Sequence, residues 1–154
     1  MDEPRIVELP PYRVVRLRYE GPPPPNEAFS ALWRRLDAWA EERGVKGASG
    51  DVWAIGYAPP GRIAAAGLVY DACLPVTEDI SPDGLPGLTI GEVPGGRFVL
   101  SAGDLEELPL LLRASRRYAM SHGIAVERGH IERYLAHPDD PGHHPVEAGY
   151  RIHD

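Results

Sequence analysis

The chain has 154 residues, enough for one domain with a substantial core, and a formal net charge of −7. That excess of acid opposes a dedicated nucleic-acid surface, because phosphate would be repelled. Cys73 is the sole cysteine, so no intrachain disulfide is available. No apolar run approaches the ~20 residues needed to cross a bilayer. The N-terminus also lacks the basic-then-apolar pattern of a secretory signal, so the expected compartment is the cytoplasm, with no membrane and no direct nucleic-acid partner.

Residues 5–9 and 13–20 read as strands separated by Pro10-Pro11, since proline cannot donate to a ladder. Gly21 and the prolines at 22–25 stop the second strand and make a stiff crossover. Asn26 is a plausible N-cap with Glu27 in the first turn. Phe29, Leu32, Leu36, Trp39 and Ala40 then recur at helical spacing, and Arg43-Gly44 ends the helix. Residues 52–58 alternate as a strand, Pro59-Pro60-Gly61 turns, and 68–76 is the next strand. The Pro-, Gly- and acid-rich stretch 77–91 reads as a loop between halves, with strand character resuming at 89–93 and 96–101. Asp104 and Glu107 have capping-box spacing, and Pro109 belongs near the first helical position. Leu108, Leu111, Leu112, Ser115 and Ala119 form the buried stripe, closed by His122-Gly123. Residues 129–137 and 145–152 are the last two strands, joined by a polar hairpin loop.

This order repeats. Val14-Val15-Arg16-Leu17 and Arg97-Phe98-Val99-Leu100 each precede a helix ending at glycine, then a tyrosine-bearing strand (Tyr57, Tyr134), then a last strand (Asp71-Ala72-Cys73-Leu74-Pro75-Val76 and Glu147-Ala148-Gly149-Tyr150-Arg151-Ile152). A βαββ unit of this size cannot cover its own sheet. Two copies, about 5–76 and 90–152, should therefore fuse into one domain spanning 1–154, with a pocket at the seam. The fold class expected is α+β: duplicated βαββ units forming one antiparallel sheet, with two helices on one face and a ligand cleft on the other.

Glu132 is the leading functional candidate. By strand alternation His130, Glu132 and Tyr134 share one face, while Ile131 and Leu135 are expected to meet the helices. A carboxylate beside aromatic rings can hold a cation or act as a general base; paired with an arginine on a wet sheet face, it is only structural. Aligning Tyr57 with Tyr134 places Trp53, Ile55 and Tyr57 on the same face as Glu132. Asp71 either enters the cleft or pairs across the sheet with Arg133 or Arg97, and Cys73 reads as a small buried hydrophobe. His137, Asp139, Asp140, His143 and His144 cluster in one loop, but their spacing matches no compact ligand motif, so no metal is expected. No phosphate-binding glycine motif and no Ser-His-Asp arrangement is present, and no cofactor is expected. Arg34-Arg35 and Arg113, Arg116 and Arg117 read as solvated helix faces.

With these residues in order, the chain resembles the GyrI-like domain, the effector-binding domain of AraC- and MerR-type activators. The resemblance is carried by Tyr70-Asp71-Ala72-Cys73-Leu74-Pro75-Val76, Val93-Pro94-Gly95-Gly96-Arg97-Phe98 and Ile131-Glu132-Arg133-Tyr134-Leu135. It implies two pseudo-symmetric βαββ units and a cleft in which Glu132 recognises bulky, often cationic, aromatic compounds. With the face partners read from strand alternation, the expected ligand-binding set is Trp53, Ile55, Tyr57, Asp71, His130, Glu132 and Tyr134. No helix-turn-helix precedes the domain, so the resemblance is to stand-alone members that sense, sequester or protect against toxic compounds. Two alternatives follow from it. One is a hydrolase of electrophilic, cyclopropane-type compounds with Glu132 as base and Tyr134 as acid. The other is a DNA gyrase inhibitor acting by protein contact. Tyr150-Arg151-Ile152 departs from the family's common Ile/Val-Pro-Val ending, and residues 105–110 lack the expected aromatics.

Overall fold

The computed structural model describes residues 3–45, 52–60, 67–76, 80–136, 142 and 144–153. Its elements are β1 (Arg5–Leu9), β2 (Tyr12–Gly21), α1 (Glu27–Arg43), β3 (Ala54–Ala58), β4 (Leu68–Pro75), β5 (Thr89–Val93), β6 (Gly96–Asp104), a 3-10 turn (Leu105–Glu107), α2 (Leu108–Ser121), β7 (His130–Tyr134) and β8 (Pro145–Arg151). The fold is mixed α+β, as expected: one antiparallel sheet of eight strands in the order β1-β6-β8-β7-β3-β4-β2-β5, with two helices.

Both helices start and stop where local chemistry dictates. The Asn26 side chain accepts from the Phe29 N–H at 2.9 Å, satisfying a donor that the first turn leaves open. Gly44 ends α1 at φ 68°, a left-handed conformation that glycine adopts without strain. Asp104 and Glu107 form the reciprocal capping box, on the 3-10 turn, and α2 follows with its proline in the first turn. The buried stripe of α2 is narrow (Leu111, Ser115, Ala119), so this helix lies close to the sheet. Ser115 Oγ donates to the Ala148 carbonyl at 3.0 Å and pairs with Ser101 Oγ at 2.7 Å.

The duplication is visible in the registers. Ile55 faces Cys73 and Tyr57 faces Asp71, as Ile131 faces Gly149 and Arg133 faces Glu147. Val76 N–H donates to Arg13 O, as Ile152 N–H donates to Arg97 O. β3 and β7 pair at the centre, so the pseudo-twofold axis passes between them. The short leading strands are exchanged: β1, preceding β2, pairs with β6, while β5, preceding β6, pairs with β2. Arg151, at the departure in the last strand, donates from Nε to Gly95 O at 2.7 Å and from Nη1 to Glu127 at 2.9 Å.

These registers correct the sequence alignment of the halves by one residue. Tyr57 corresponds to Arg133, not Tyr134, and the counterpart of Glu132 is Gly56. A one-residue slip in a strand exchanges its two faces, and the faces move accordingly. Cross-strand pairs run Ser101–Ala148–Glu132–Gly56–Ala72–Leu17. Ala148 packs with Leu111 of α2, and Ala72 and Leu17 pack with Leu32 and Leu36 of α1. Glu132 thus sits on the helix face, between the helices, not on the opposite face. Ile131 turns away from the helices, into a cluster with Leu9, Val14, Ile55, Cys73, Val93, Phe98 and Leu100. Leu9 and Val93 come from the two edge strands of the sheet, so the sheet curls until its helix-free face closes on itself.

Candidate functional site

The centre of the sheet is built around a missing side chain. Ala54, Gly56 and Ala58 make the helix-side row of β3 small, and Tyr70 from β4 lies across it to reach Glu132 on β7. A Cβ at Gly56 would stand 1.9 Å from the Tyr70 hydroxyl and 2.6 Å from Glu132 Oε1. Glycine is therefore required here by close approach, not by turn geometry.

Glu132 is 5% exposed. Its Oε1 accepts from the Tyr70 hydroxyl at 2.8 Å and from the Tyr134 hydroxyl, and its Oε2 lies 2.7 Å from His130 Nε2. Burial pushes its pKa upward, but the hydrogen bond and charge of His130, then the two phenols, outweigh burial and hold it below the ordinary value. The same carboxylate, added to burial, pushes Tyr70 and Tyr134 well above theirs. The site at neutral pH is a carboxylate held by two neutral phenols and by His130.

Aromatic rings from α1 roof this carboxylate. Trp33 stands edge-on to Tyr134 at 5.7 Å and to Tyr70 at 6.3 Å, and stacks on Trp53 at 6.4 Å. Phe29 packs against Tyr70 at 4.9 Å. On the α2 side, Leu108, Leu112 and Tyr134 pack against one cluster of Leu111, Val146 and Ala148. Trp53 precedes β3, so strand alternation does not govern it, and it joins the helix-side cluster. Trp33 and Tyr70 are absent from the sequence-based site. Their signals were the Phe29/Trp33 spacing of one helical turn and a tyrosine two residues before Ala72 on the apolar face of its strand.

Of the seven ligand candidates, the structure brings together His130, Glu132, Tyr134 and Trp53. Ile55 is fully buried in the helix-free cluster, and Tyr57 packs against the same cluster. Burial, then the charge of Glu127, pushes the Tyr57 phenol up to about 12. Asp71, 1% exposed, also faces away from Glu132 and is gripped by Arg18 through two bonds of 2.7 and 2.9 Å, not by Arg133 or Arg97. Its counterpart Glu147 is gripped by Arg133 and by Arg5 at 2.5 Å. Burial pushes the Cys73 thiol well up, in keeping with a small core residue.

Of the histidines and acids in the polar loop only His144 is described; His137, Asp139, Asp140 and His143 lie outside the described residues. Among the described residues, no group of three or more His, Cys, Asp or Glu is placed to hold a metal, and no helix is long and apolar enough to cross a membrane. Two open surface hollows, of about 350 and 470 Å³, are lined by Val126, Arg128 and His153 and by Arg113, Arg116 and Met120. Neither reaches Glu132, which is closed over by the side chains around it.

Duplicated βαββ units fused through one antiparallel sheet define the class of fold. The chain belongs to the GyrI-like small molecule binding domain family, whose model matches residues 2–152. Among solved structures it is similar to the EcmrR C-terminal domain at 11% identity and a TM-score of 0.77, covering 99% of this chain and 98% of that one. It is also similar to SAV2435 bound to tetraphenylphosphonium, at 13% identity and a TM-score of 0.57 over 99% and 94% of the two chains. A structure described as a hydrolase from Listeria innocua matches at 13% identity and a TM-score of 0.60 over 98% and 92%. At these identities the likeness is one of fold.

Proposed function

We propose that the protein binds a hydrophobic small molecule carrying a delocalised positive charge, received between α1 and α2 on Glu132. One observation carries this reading: a buried, ionised carboxylate whose partners are two phenols and an imidazole rather than a guanidinium. The two phenols satisfy Oε1 without cancelling the charge in the way a guanidinium does, so an entering cation still gains Coulomb attraction. Trp33, Trp53, Tyr70 and Tyr134 supply ring faces for cation–π contact and apolar burial. The tetraphenylphosphonium bound to a fold neighbour supports the choice of an organic cation as probe. Protonation states weigh against hydrolysis: a carboxylate with a lowered pKa is a weak base, and a phenol with a raised one is a weak acid.

The test uses two ions of one shape and opposite charge, tetraphenylphosphonium and tetraphenylborate, with tryptophan fluorescence as readout. The native protein is expected to prefer the cation. Glu132→Gln is expected to weaken the cation about tenfold or more, equivalent to about 1.4 kcal/mol, and to change binding of the anion little. Equal affinity of the native protein for both ions, or of both proteins for the cation, would remove the reading.

A further inference from the structure

We infer that Arg116 forms an anion-binding subsite at one end of the cleft, so that the preferred ligand is an aromatic cation carrying an acidic group on a short arm. The inference rests on the reading of Glu132 as the cation-binding acid and adds a second anchor of opposite charge. The positive centre of the ligand goes to Glu132, and the arm carries a carboxylate to the Arg116 guanidinium. No covalent bond changes.

Strand register sets the spacing. Tyr134 lies opposite Val146 and Glu132 opposite Ala148, so the next step of the same face puts Tyr150 of β8 beside His130 of β7. Tyr150 is then the diagonal neighbour of Glu132, and diagonal neighbours on adjacent strands stand about 7–8 Å apart. Above the strands, Leu108, Leu112 and Arg116 recur every fourth residue along one side of α2. The two leucines pack against the cluster that Tyr134 also meets, and the Arg116 guanidinium reaches 4.5 Å over the Tyr150 ring. That side of the cleft is aliphatic towards Tyr134 and cationic towards His130.

Arg116 is held ready for such a group. It rests on the face of a tyrosine that is 7% exposed, and a guanidinium over a ring leaves its N–H fork free to meet a carboxylate. No acidic residue occurs anywhere in α2 to take up that fork. Arg113 and Arg117 add like charge, lining with Arg116, Met120 and Ser121 the open hollow of about 470 Å³. In a chain of net charge −7 this gathers positive charge on one helix, where it draws an anion. Arg116 is not among the hydrogen-bond partners of Glu132, which are Tyr70, Tyr134 and His130. The two charges therefore stay apart, each available to a different end of one molecule.

The probes are 5-carboxypentyltriphenylphosphonium and hexyltriphenylphosphonium, which share the cation and the length of the arm and differ in the terminal carboxylate. Both are titrated calorimetrically, beside tetraphenylphosphonium, into the native protein, Arg116→Met, Arg117→Met and Glu132→Gln at about pH 7.5, where the arm is ionised. Arg116→Met is expected to weaken the acid-bearing probe about fivefold or more and to change the other two less than about twofold. Arg117→Met should leave the preference between the probes close to native, and Glu132→Gln should weaken all three. Arg116→Met weakening all three probes alike, or none, overturns the subsite while leaving the cation site standing. An equal loss in Arg117→Met overturns it too, because the effect then belongs to the general field of the helix. So does a native protein that takes tetraphenylphosphonium and refuses the acid-bearing probe. Failure of the native protein to bind any of the three removes both readings.

Discussion

Three buried acids lie in the central strands, and they are held in two ways. On the helix-free side, Asp71 and Glu147 occupy equivalent positions in the two halves, and each is locked by arginine: Arg18 from β2 in one case, Arg133 from β7 with Arg5 from β1 in the other. On the helix side, Glu132 has no symmetric partner, because its counterpart is Gly56, and it is held by Tyr70, Tyr134 and His130. A guanidinium cancels the charge it binds, so the first arrangement stiffens the sheet. The second satisfies one carboxylate oxygen through two phenols, which carry no charge, beneath aromatic rings. Burial alone does not separate the two, since all three acids are nearly inaccessible. The chemistry of the partner does.

Glu147→Gln should break this contrast most severely. It leaves the Arg133 guanidinium buried without its carboxylate and should cost about 3 kcal/mol or more in urea unfolding. Any variant that stays folded should bind tetraphenylphosphonium with native affinity, because Glu147 faces away from Glu132. Gly56→Ala attacks the other side. Its Cβ cannot coexist with the Tyr70 hydroxyl and Glu132 Oε1 where they stand, so a loss of about 2 kcal/mol is expected, with weakened cation binding as well. Separation of the two effects, with binding lost in Gly56→Ala and retained in Glu147→Gln, is the outcome the contrast requires.

The smallest effect concerns acid. Because the folded-state pKa of Glu132 lies below its ordinary value, its ionisation contributes stability that is present above the unfolded-state value and lost as the pH falls through the folded one. Glu132→Gln should therefore flatten the acid limb of a stability–pH curve, measured by denaturant unfolding between about pH 2 and 6. An unchanged acid limb would show that the phenols and His130 hold the carboxyl equally well in both protonation states.

Much of this was legible in the chain itself. Asn26 and Gly44 mark the limits of α1, the capping box precedes α2, and the repeated strand–helix–strand–strand order announces the duplication. Glu132, Tyr134 and His130 were singled out by alternation within a single strand, which needs no knowledge of its neighbours. The failures all required long-range pairing. Matching tyrosine to tyrosine put the halves one residue out of step, because a strand repeats every two residues and its pattern says little about absolute register. Asp71 and Glu147 were the safer anchors, and a glycine facing an acid was the signal that the match should shift. Trp33 and Tyr70 were hidden for a related reason: their apolar neighbours made them look like packing, and only the third dimension sets them above a carboxylate. The exchange of β1 and β5 between halves left no mark in local composition.

That exchange has a consequence for solubility. The outermost strands, β1 and β5, are five residues each and largely exposed, while the strands they cover, β6 and β2, are nine and ten residues long and rich in buried apolar side chains. Each half thus lends the other a short, charged hem over an edge that would otherwise invite pairing with another molecule. A change that loosens either hem would leave the central acid and its rings in place while turning the protein adhesive, so clumping would precede any loss of recognition.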